Sequence, residues 1–175
     1  QQRHPHKDMN NLEYFTKEYD YVLKYKMAWA KAPYAPTFVT VDACVVCSGH
    51  ILLVKRKAEP CAGSWALPGG FINQKEKIVD ACIRELREET KIKVPAPVLK
   101  GSIKRSEVFD DPERSLRGRT ITHAFLIELP VGELPKVKGS DDAEKAFWVP
   151  VNELKDNKSN MFEDHYQIIC ALTGI

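Results

Sequence analysis

Two adjacent glycines leading into a helix with two unlike faces constrain this chain more than any other feature. Gly69 and Gly70 precede Glu76–Lys91, where Val79, Cys82, Ile83, Leu86 and Thr90 recur at helical spacing and form an apolar stripe. Beside that stripe, Glu85, Glu88 and Glu89 share a neighbouring face at i, i+3 and i+4. Like charges so placed repel by about a few tenths of a kcal/mol per pair, and by more when held near other structure. Such a helix must lay one face on a sheet while something positive steadies the other. Arg84, four residues before Glu88, offsets part of the repulsion. The remainder suits a hard divalent ion, because Mg2+ takes carboxylate oxygens and waters and commonly bridges substrate phosphates. The glycines upstream let the backbone approach a ligand closely.

The surrounding pattern is that of an α/β chain. A polar, basic segment over residues 1–9 gives way at Asn10 and Glu13 to a capping-box signal. Leu12, Phe15, Tyr19, Leu23, Met27 and Ala30 then recur at helical spacing as far as Pro33. This predicts a long amphipathic helix with further aromatic residues, Tyr14, Tyr21, Tyr25 and Trp29, around its surface. The stiff connector Ala32–Pro36 separates it from strand signals at Phe38–Cys47 and Ile51–Lys55, joined by a Ser48-Gly49 turn. Val98–Phe109 and Thr120–Leu129 read as long strands, Phe147–Val149 as a short one, and Met161–Leu172 as a closing helix. Strands interleaved with helices predict helices on both faces of a mixed sheet. The expected division is a tail and linker helix over 1–36 and a catalytic-size domain over 37–175.

The order Gly70, Glu76, Arg84-Glu85-Leu86, Glu88-Glu89 and Ile92 matches the Nudix box, and the chain resembles Nudix hydrolases on those residues. The resemblance implies an α/β/α sandwich and metal-assisted hydrolysis of a nucleoside diphosphate linked to another group. It implies Glu85 and Glu89 as main ligands of Mg2+ or Mn2+, Glu88 as a direct or water-mediated one, and the Gly69 carbonyl as a further donor. Gly70, Glu76 and Arg84 are implied to hold loop and helix in register. Glu85 and Glu88 are candidates for catalytic roles. A general base outside the box is expected among Asp141, Asp142 and Glu144, with Glu144 preferred. One residue departs from the pattern: Lys91 stands where the box has a helix-ending Gly, and a left-handed Lys there costs about 1 kcal/mol.

Three further segments narrow the resemblance to the Nudix half of bifunctional nicotinamide mononucleotide adenylyltransferase/Nudix hydrolases. They are Tyr25–Ala43, with its Ala-Pro-Tyr-Ala-Pro connector, Phe109–Ala124, and Phe162–Tyr166. In that family the Nudix domain cleaves ADP-ribose to AMP and ribose 5-phosphate, within NAD metabolism. The resemblance implies a small-molecule nucleotide substrate and fusion to an adenylyltransferase domain, of which no His-x-Gly-His signature is present here. Arg114, Arg117 and Arg119 in one loop offer forked donors suited to phosphate and ribose oxygens, with Arg56 and Arg105 at strand ends as further candidates. Two alternatives stay open: a sensor that binds ADP-ribose without cleaving it, and a pyrophosphatase for NADH or a nucleoside triphosphate.

Other features carry less. A net charge of +2 from 26 basic and 24 acidic side chains gives no electrostatic footprint for nucleic acid. No apolar run approaches a membrane span, and no secretory stretch occurs in Gln1–Asn11. With an odd count of five cysteines, this predicts free thiols and a cytoplasmic setting. Cys44 and Cys47 fall on opposite faces of a strand, and His123 and His165 read as structural residues. The aromatic N-terminal helix predicts a homodimer, formed by exchange of that helix.

Overall fold

The computed structural model describes residues 11–138 and 143–175, with the side chains of residues 143 and 144 outside that description. Its elements in chain order are α1 (Asn11–Trp29), β1 (Thr37–Cys47), β2 (His50–Arg56), β3 (Trp65–Ala66), β4 (Gly69–Phe71) and α2 (Ile78–Thr90). Then follow α3 (Ala96–Gly101), β5 (Ile103–Phe109), β6 (Arg119–Glu128), β7 (Ala143–Pro150) and α4 (His165–Thr173). Short 3-10 turns over Val151–Glu153 and Lys155–Asn160 precede α4.

The long β-branched strand β1 organises the sheet. It turns into β2 at Ser48-Gly49, both with positive φ (46° and 72°), the geometry of a tight right-twisted hairpin. Beyond the hairpin the two strands part. β1 runs parallel to β6 from Thr37↔Arg119 to Val46↔Glu128, and its other edge takes β4 antiparallel at Thr40–Asp42. β2 instead pairs antiparallel with β7 and β3. This divergence opens a space between β4, β2 and the segment before α4.

Alternation along the strands fills both faces, as expected for a sheet covered by helices on either side. Val41, Ala43, Val45 and Leu52 point to the layer of α2 and α3, where they meet Cys82, Ile83, Leu86 and Leu99. Cys44, Ile51 and Leu53 point the other way, onto Leu154, Ile168, Ile169 and Leu172. Full burial of one such Leu or Ile side chain is worth about 1.5–3 kcal/mol. The apolar stripe read on α2 is therefore the side that meets the sheet, and Cys44 and Cys47 are buried free thiols.

Three local expectations differ from the structure. Val98–Gly101 belongs to the short helix α3, because Pro95 and Pro97 favour a helix start and only the chain after Ser102 extends. The closing helix starts at His165, and Met161 instead bridges to Trp65 of β3 while the Phe162 N–H donates to the Trp65 carbonyl at 2.8 Å. On α1 the faces are exchanged. Tyr14, Glu18, Tyr21, Val22 and Tyr25 are the half-buried side, whereas Leu12, Phe15, Tyr19, Leu23 and Met27 are exposed. The helix is held by Tyr25 and Trp29 edge-on against Phe38, and by Glu18 accepting from the Cys61 N–H at 2.8 Å. Its expected cap, Asn10, lies outside the described residues.

Candidate active site

The box helix is pinned to its loop by one guanidinium. Arg84 Nε and Nη2 donate to the two oxygens of Glu76 at 3.0 and 2.7 Å, a bidentate pairing. Its Nη2 also reaches the Phe71 carbonyl at 3.2 Å, and its Nη1 reaches Glu85 at 2.9 Å and Glu88 at 3.2 Å. Hydrogen bonding to Glu76 pushes Arg84 up from its ordinary value, and the same bond holds the Glu76 carboxyl down. Three carboxylates thus share one cation. The helix ends with Lys91 in the left-handed region (φ 51°, ψ 30°), its N–H donating to the Arg87 carbonyl. The lysine adopts the conformation that glycine would take at about 1 kcal/mol less.

The two glycines form a cradle with no room for side chains. A Cβ at Gly69 would meet the Val41 carbonyl oxygen and lie 2.6 Å from Asp42 Oδ1. One at Gly70 would lie 2.9 Å from the Glu85 carboxylate. The Gly69 N–H donates to Glu89 Oε2 at 3.1 Å, so the loop backbone and the helix carboxylates occupy one small volume. These are oxygen donors only, a set that fits Mg2+ or Mn2+. Among the described residues no three His, Cys, Asp or Glu side chains already form a closed cage. A site completed by water and substrate oxygens, the habit of Mg2+, needs none.

Glu89, Gly69 and Gly70 open into a pocket walled by Arg56, Arg114, Arg117, Phe71, Phe162 and Glu163. Arg56 stacks over the Phe162 ring at 4.1 Å and donates to the Pro60 carbonyl at 2.9 Å. Burial pushes its pKa down. Arg117 sits between the Phe71 and Phe162 rings, 5.2 and 5.9 Å from their centroids. Arg114 is buried and paired through Nε and Nη2 with Asp164 at 3.0 and 2.7 Å. At the floor, Asp42 accepts from the Thr122 hydroxyl at 2.6 Å, and His165 Nδ1 accepts from the Leu67 N–H at 2.9 Å. That bond leaves the His165 proton on Nε2, which faces Asp42 Oδ1 at 3.6 Å, too far for a hydrogen bond. Burial pushes Asp42 up to about 6 and His165 down to about 3, so the imidazole is neutral.

Of the residues expected at the site, the structure brings Gly69, Gly70, Glu89, Arg56, Arg114 and Arg117 to the pocket. Glu76, Arg84 and Glu85 lie beside it, and Glu88 faces solvent while touching Arg84. Arg105 and Arg119 are placed elsewhere: Arg105 donates to the carbonyls of Ala171 and Leu172 at the end of α4, and Arg119 to the Asp110 carbonyl within its own loop. Glu144 has its backbone in β7, near the end of β2; its side chain, like Asp141 and Asp142, lies outside the described residues. Asp42 and Glu163 fall within the segments that carry the resemblance but belong to no spaced pattern that assigns them a role, and His165 is expected from sequence only as a structural residue. No sequence signal marks the Asp42–His165 contact, because it joins β1 to α4 across the whole fold.

Comparison with known proteins places this geometry. The NUDIX domain family pattern matches residues 36–172. An ADP-ribose pyrophosphatase of Methanocaldococcus jannaschii is 36% identical over 131 residues, covering 75% of this chain and 70% of that protein. The crystal structure of a bifunctional NMN adenylyltransferase/ADP ribose pyrophosphatase from Francisella tularensis, complexed with AMP and Mn ion, superposes with a TM-score of 0.92 at 44% identity. That match covers 95% of this chain and 50% of the Francisella one, so the present chain spans half the bifunctional protein's length. The NUDIX domain of Shewanella oneidensis NrtR, complexed with ADP ribose, shares the fold at 24% identity, with a TM-score of 0.62 over 84% of this chain and 93% of that one. With its box clamped by Arg84 and its glycines closed against Glu85 and Glu89, the chain belongs to the Nudix family of hydrolases.

Proposed function

We propose that this hydrolase cleaves the diphosphate of ADP-ribose, giving AMP and ribose 5-phosphate, with Mg2+ or Mn2+ at the box. The observation that carries the reading is the continuity of the Glu89–Gly69 corner with a pocket walled by Arg56 and Arg117. A diphosphate bound there would meet the box carboxylates and their ion on one side and guanidinium donors on the other. The likeness to ADP-ribose pyrophosphatases, one of them solved with AMP and Mn ion, supports the same substrate.

Glu85, Glu89 and the Gly69 carbonyl would hold the ion, with Glu88 assisting directly or through water. When bound it supplies Lewis-acid polarisation of the phosphoryl oxygens. The remaining work belongs to the protein. Arg84 and Glu76 keep the carboxylates in place against their mutual repulsion. Arg56 and Arg117 neutralise phosphate charge inside a partly buried wall, where such contacts are stronger than in water. Water adds to one phosphorus as the bridging P–O bond breaks, and its proton passes to a carboxylate. Glu144, Glu85 and Glu88 are the proposed acceptors.

The test is release of AMP from ADP-ribose with Mg2+, beside a metal-free control and Glu89→Gln. Metal-dependent release that the variant loses, with its melting temperature kept, is the expected result. Binding of ADP-ribose without turnover would make the domain a sensor. Neither binding nor turnover would move the substrate to another nucleoside diphosphate derivative.

A further inference from the structure

Glu163 is held on the pocket wall in a backbone conformation that L residues seldom adopt, with φ at 42°. Its side chain is only 10% exposed and faces the same space as Arg56, Arg117 and Phe162. The neighbouring acid, Asp164, has both oxygens committed to Arg114. Glu163 is differently engaged. The Ser115 hydroxyl hydrogen-bonds to it, and Arg117 Nη2 stands 3.7 Å away, close enough for charge attraction but beyond a hydrogen bond. A carboxylate offers about four lone-pair sites. Ser115 and Arg117 do not use up that capacity, and the side chain lines the pocket.

A carboxylate among phosphate-binding guanidiniums repels any phosphate brought against it and welcomes a hydroxyl donor. The substrate class proposed above carries both kinds of group. Dinucleotide-binding folds use an acidic side chain in the same way, to accept from ribose hydroxyls. We propose that Glu163 reads the sugar: it accepts hydrogen bonds from a vicinal diol of ribose and excludes a substrate bearing phosphate at that position. Arg117, held between Phe71 and Phe162, then binds phosphate beside it, so the pair distinguishes the two ends of a sugar phosphate. This rests on the ADP-ribose reading. The diol can belong to the adenosine ribose or to the distal ribose, and the two are separable.

The experiment compares kcat/KM for ADP-ribose with its 2′-deoxyadenosine analogue, its distal 2-deoxyribose analogue and ADP-ribose phosphorylated at the 2′ hydroxyl of either sugar. It uses wild type, Glu163→Gln and Glu163→Ala. Wild type is expected to lose roughly 10- to 100-fold on one of the deoxy compounds, the range for a hydrogen bond to a charged group, and to reject phosphate on the same sugar. In Glu163→Ala the deoxy penalty should shrink to within about 3-fold, with Glu163→Gln between the two. Each comparison is a ratio within one variant, so a loss of folded protein cancels. A wild type indifferent to both deoxy compounds, or a penalty that survives in Glu163→Ala, overturns the diol role alone. A wild type that neither binds nor cleaves ADP-ribose overturns the function reading and this role with it.

Discussion

Gly69 and Gly70 are neighbours with opposite neighbourhoods, and a methyl group added to each should separate stability from catalysis. At Gly69 the new Cβ meets the Val41 carbonyl oxygen and lies 2.6 Å from Asp42 Oδ1 and 3.0 Å from Asp42 Cα. Backbone cannot swing aside, so β4 must leave its ladder with β1, where Asp42 pairs with Gly69 and Val41 with Gly70. Overpacking of this kind costs about 1–3 kcal/mol, before any lost ladder hydrogen bond. For a domain of this size each kcal/mol moves Tm by about 2–4 °C, so Gly69→Ala should melt roughly 2–12 °C early, toward the upper end once ladder hydrogen bonds are lost. At Gly70 the obstructing atoms are the Glu85 carboxylate, at 2.9 to 3.0 Å, the far end of a flexible side chain. Gly70→Ala should therefore melt within about 2 °C of wild type. Its turnover should nevertheless fall roughly 100-fold, because a carboxylate moved by about 1 Å no longer holds productive geometry. Calorimetric melting beside AMP release from ADP-ribose reads both. If Gly70→Ala melts as early as Gly69→Ala, or keeps wild-type turnover, the cradle argument is wrong.

The arginines divide in a similar way. Arg117→Ala should raise KM more than it lowers kcat, whereas Arg105→Ala, which loses only contacts to the end of α4, should leave KM alone and cost about 1 kcal/mol of stability. An unchanged KM in the first variant would take that side chain out of the binding wall. The contact of α1 should depend on pH through Glu18. Burial, then its hydrogen bond with Glu59, raises the Glu18 pKa from 4.5 to about 7. The docked helix thus binds the proton more tightly than the free one, so docking is favoured below that range and weakens as pH rises from 4.5 through about 7. Amide exchange over α1, corrected for intrinsic rates, should quicken on the alkaline side, and Glu18→Gln should flatten the response. A wild-type helix with exchange protection constant across that range would refute the coupling.

The box and the arginines of the pocket wall are legible in the sequence, whereas the acids and the imidazole that join them there are not, for a physical reason. Glu76, Arg84, Glu85 and Glu89 are bound to fixed spacings because one helix and one short loop must bring them together. Period and interval therefore expose them. Asp42, Glu163 and His165 reach the same pocket from β1 and from the approach to α4, and nothing in linear order records that meeting. Glu163 falls in a stretch whose acids imitate a helix start, yet the hydrogen bond from Phe162 to Trp65 draws that stretch toward β3 instead. On α1 the failure was one of face. Periodicity finds the apolar stripe of Leu12, Phe15, Tyr19 and Met27, but a helix seated by Glu18, Tyr25 and Trp29 leaves that stripe outside. Arg105 and Arg119 read as ligand donors because a guanidinium looks the same in sequence whether its partner is a phosphate or a carbonyl.

The parallel pairing of β1 with β6 also sets the order in which this chain can become a protein. The ladder from Thr37↔Arg119 to Val46↔Glu128 joins the first strand to one that emerges only after α2, α3 and β5. During synthesis β1 exists early, a strand largely buried on both faces in the finished sheet, with one long edge unpaired until its partner leaves the ribosome. An open apolar edge is a template for pairing with other chains, and non-local parallel pairings close slowly. The growing polypeptide thus passes through an interval in which its future centre is its most adhesive surface. Termination anywhere before Arg119 leaves that surface exposed for good.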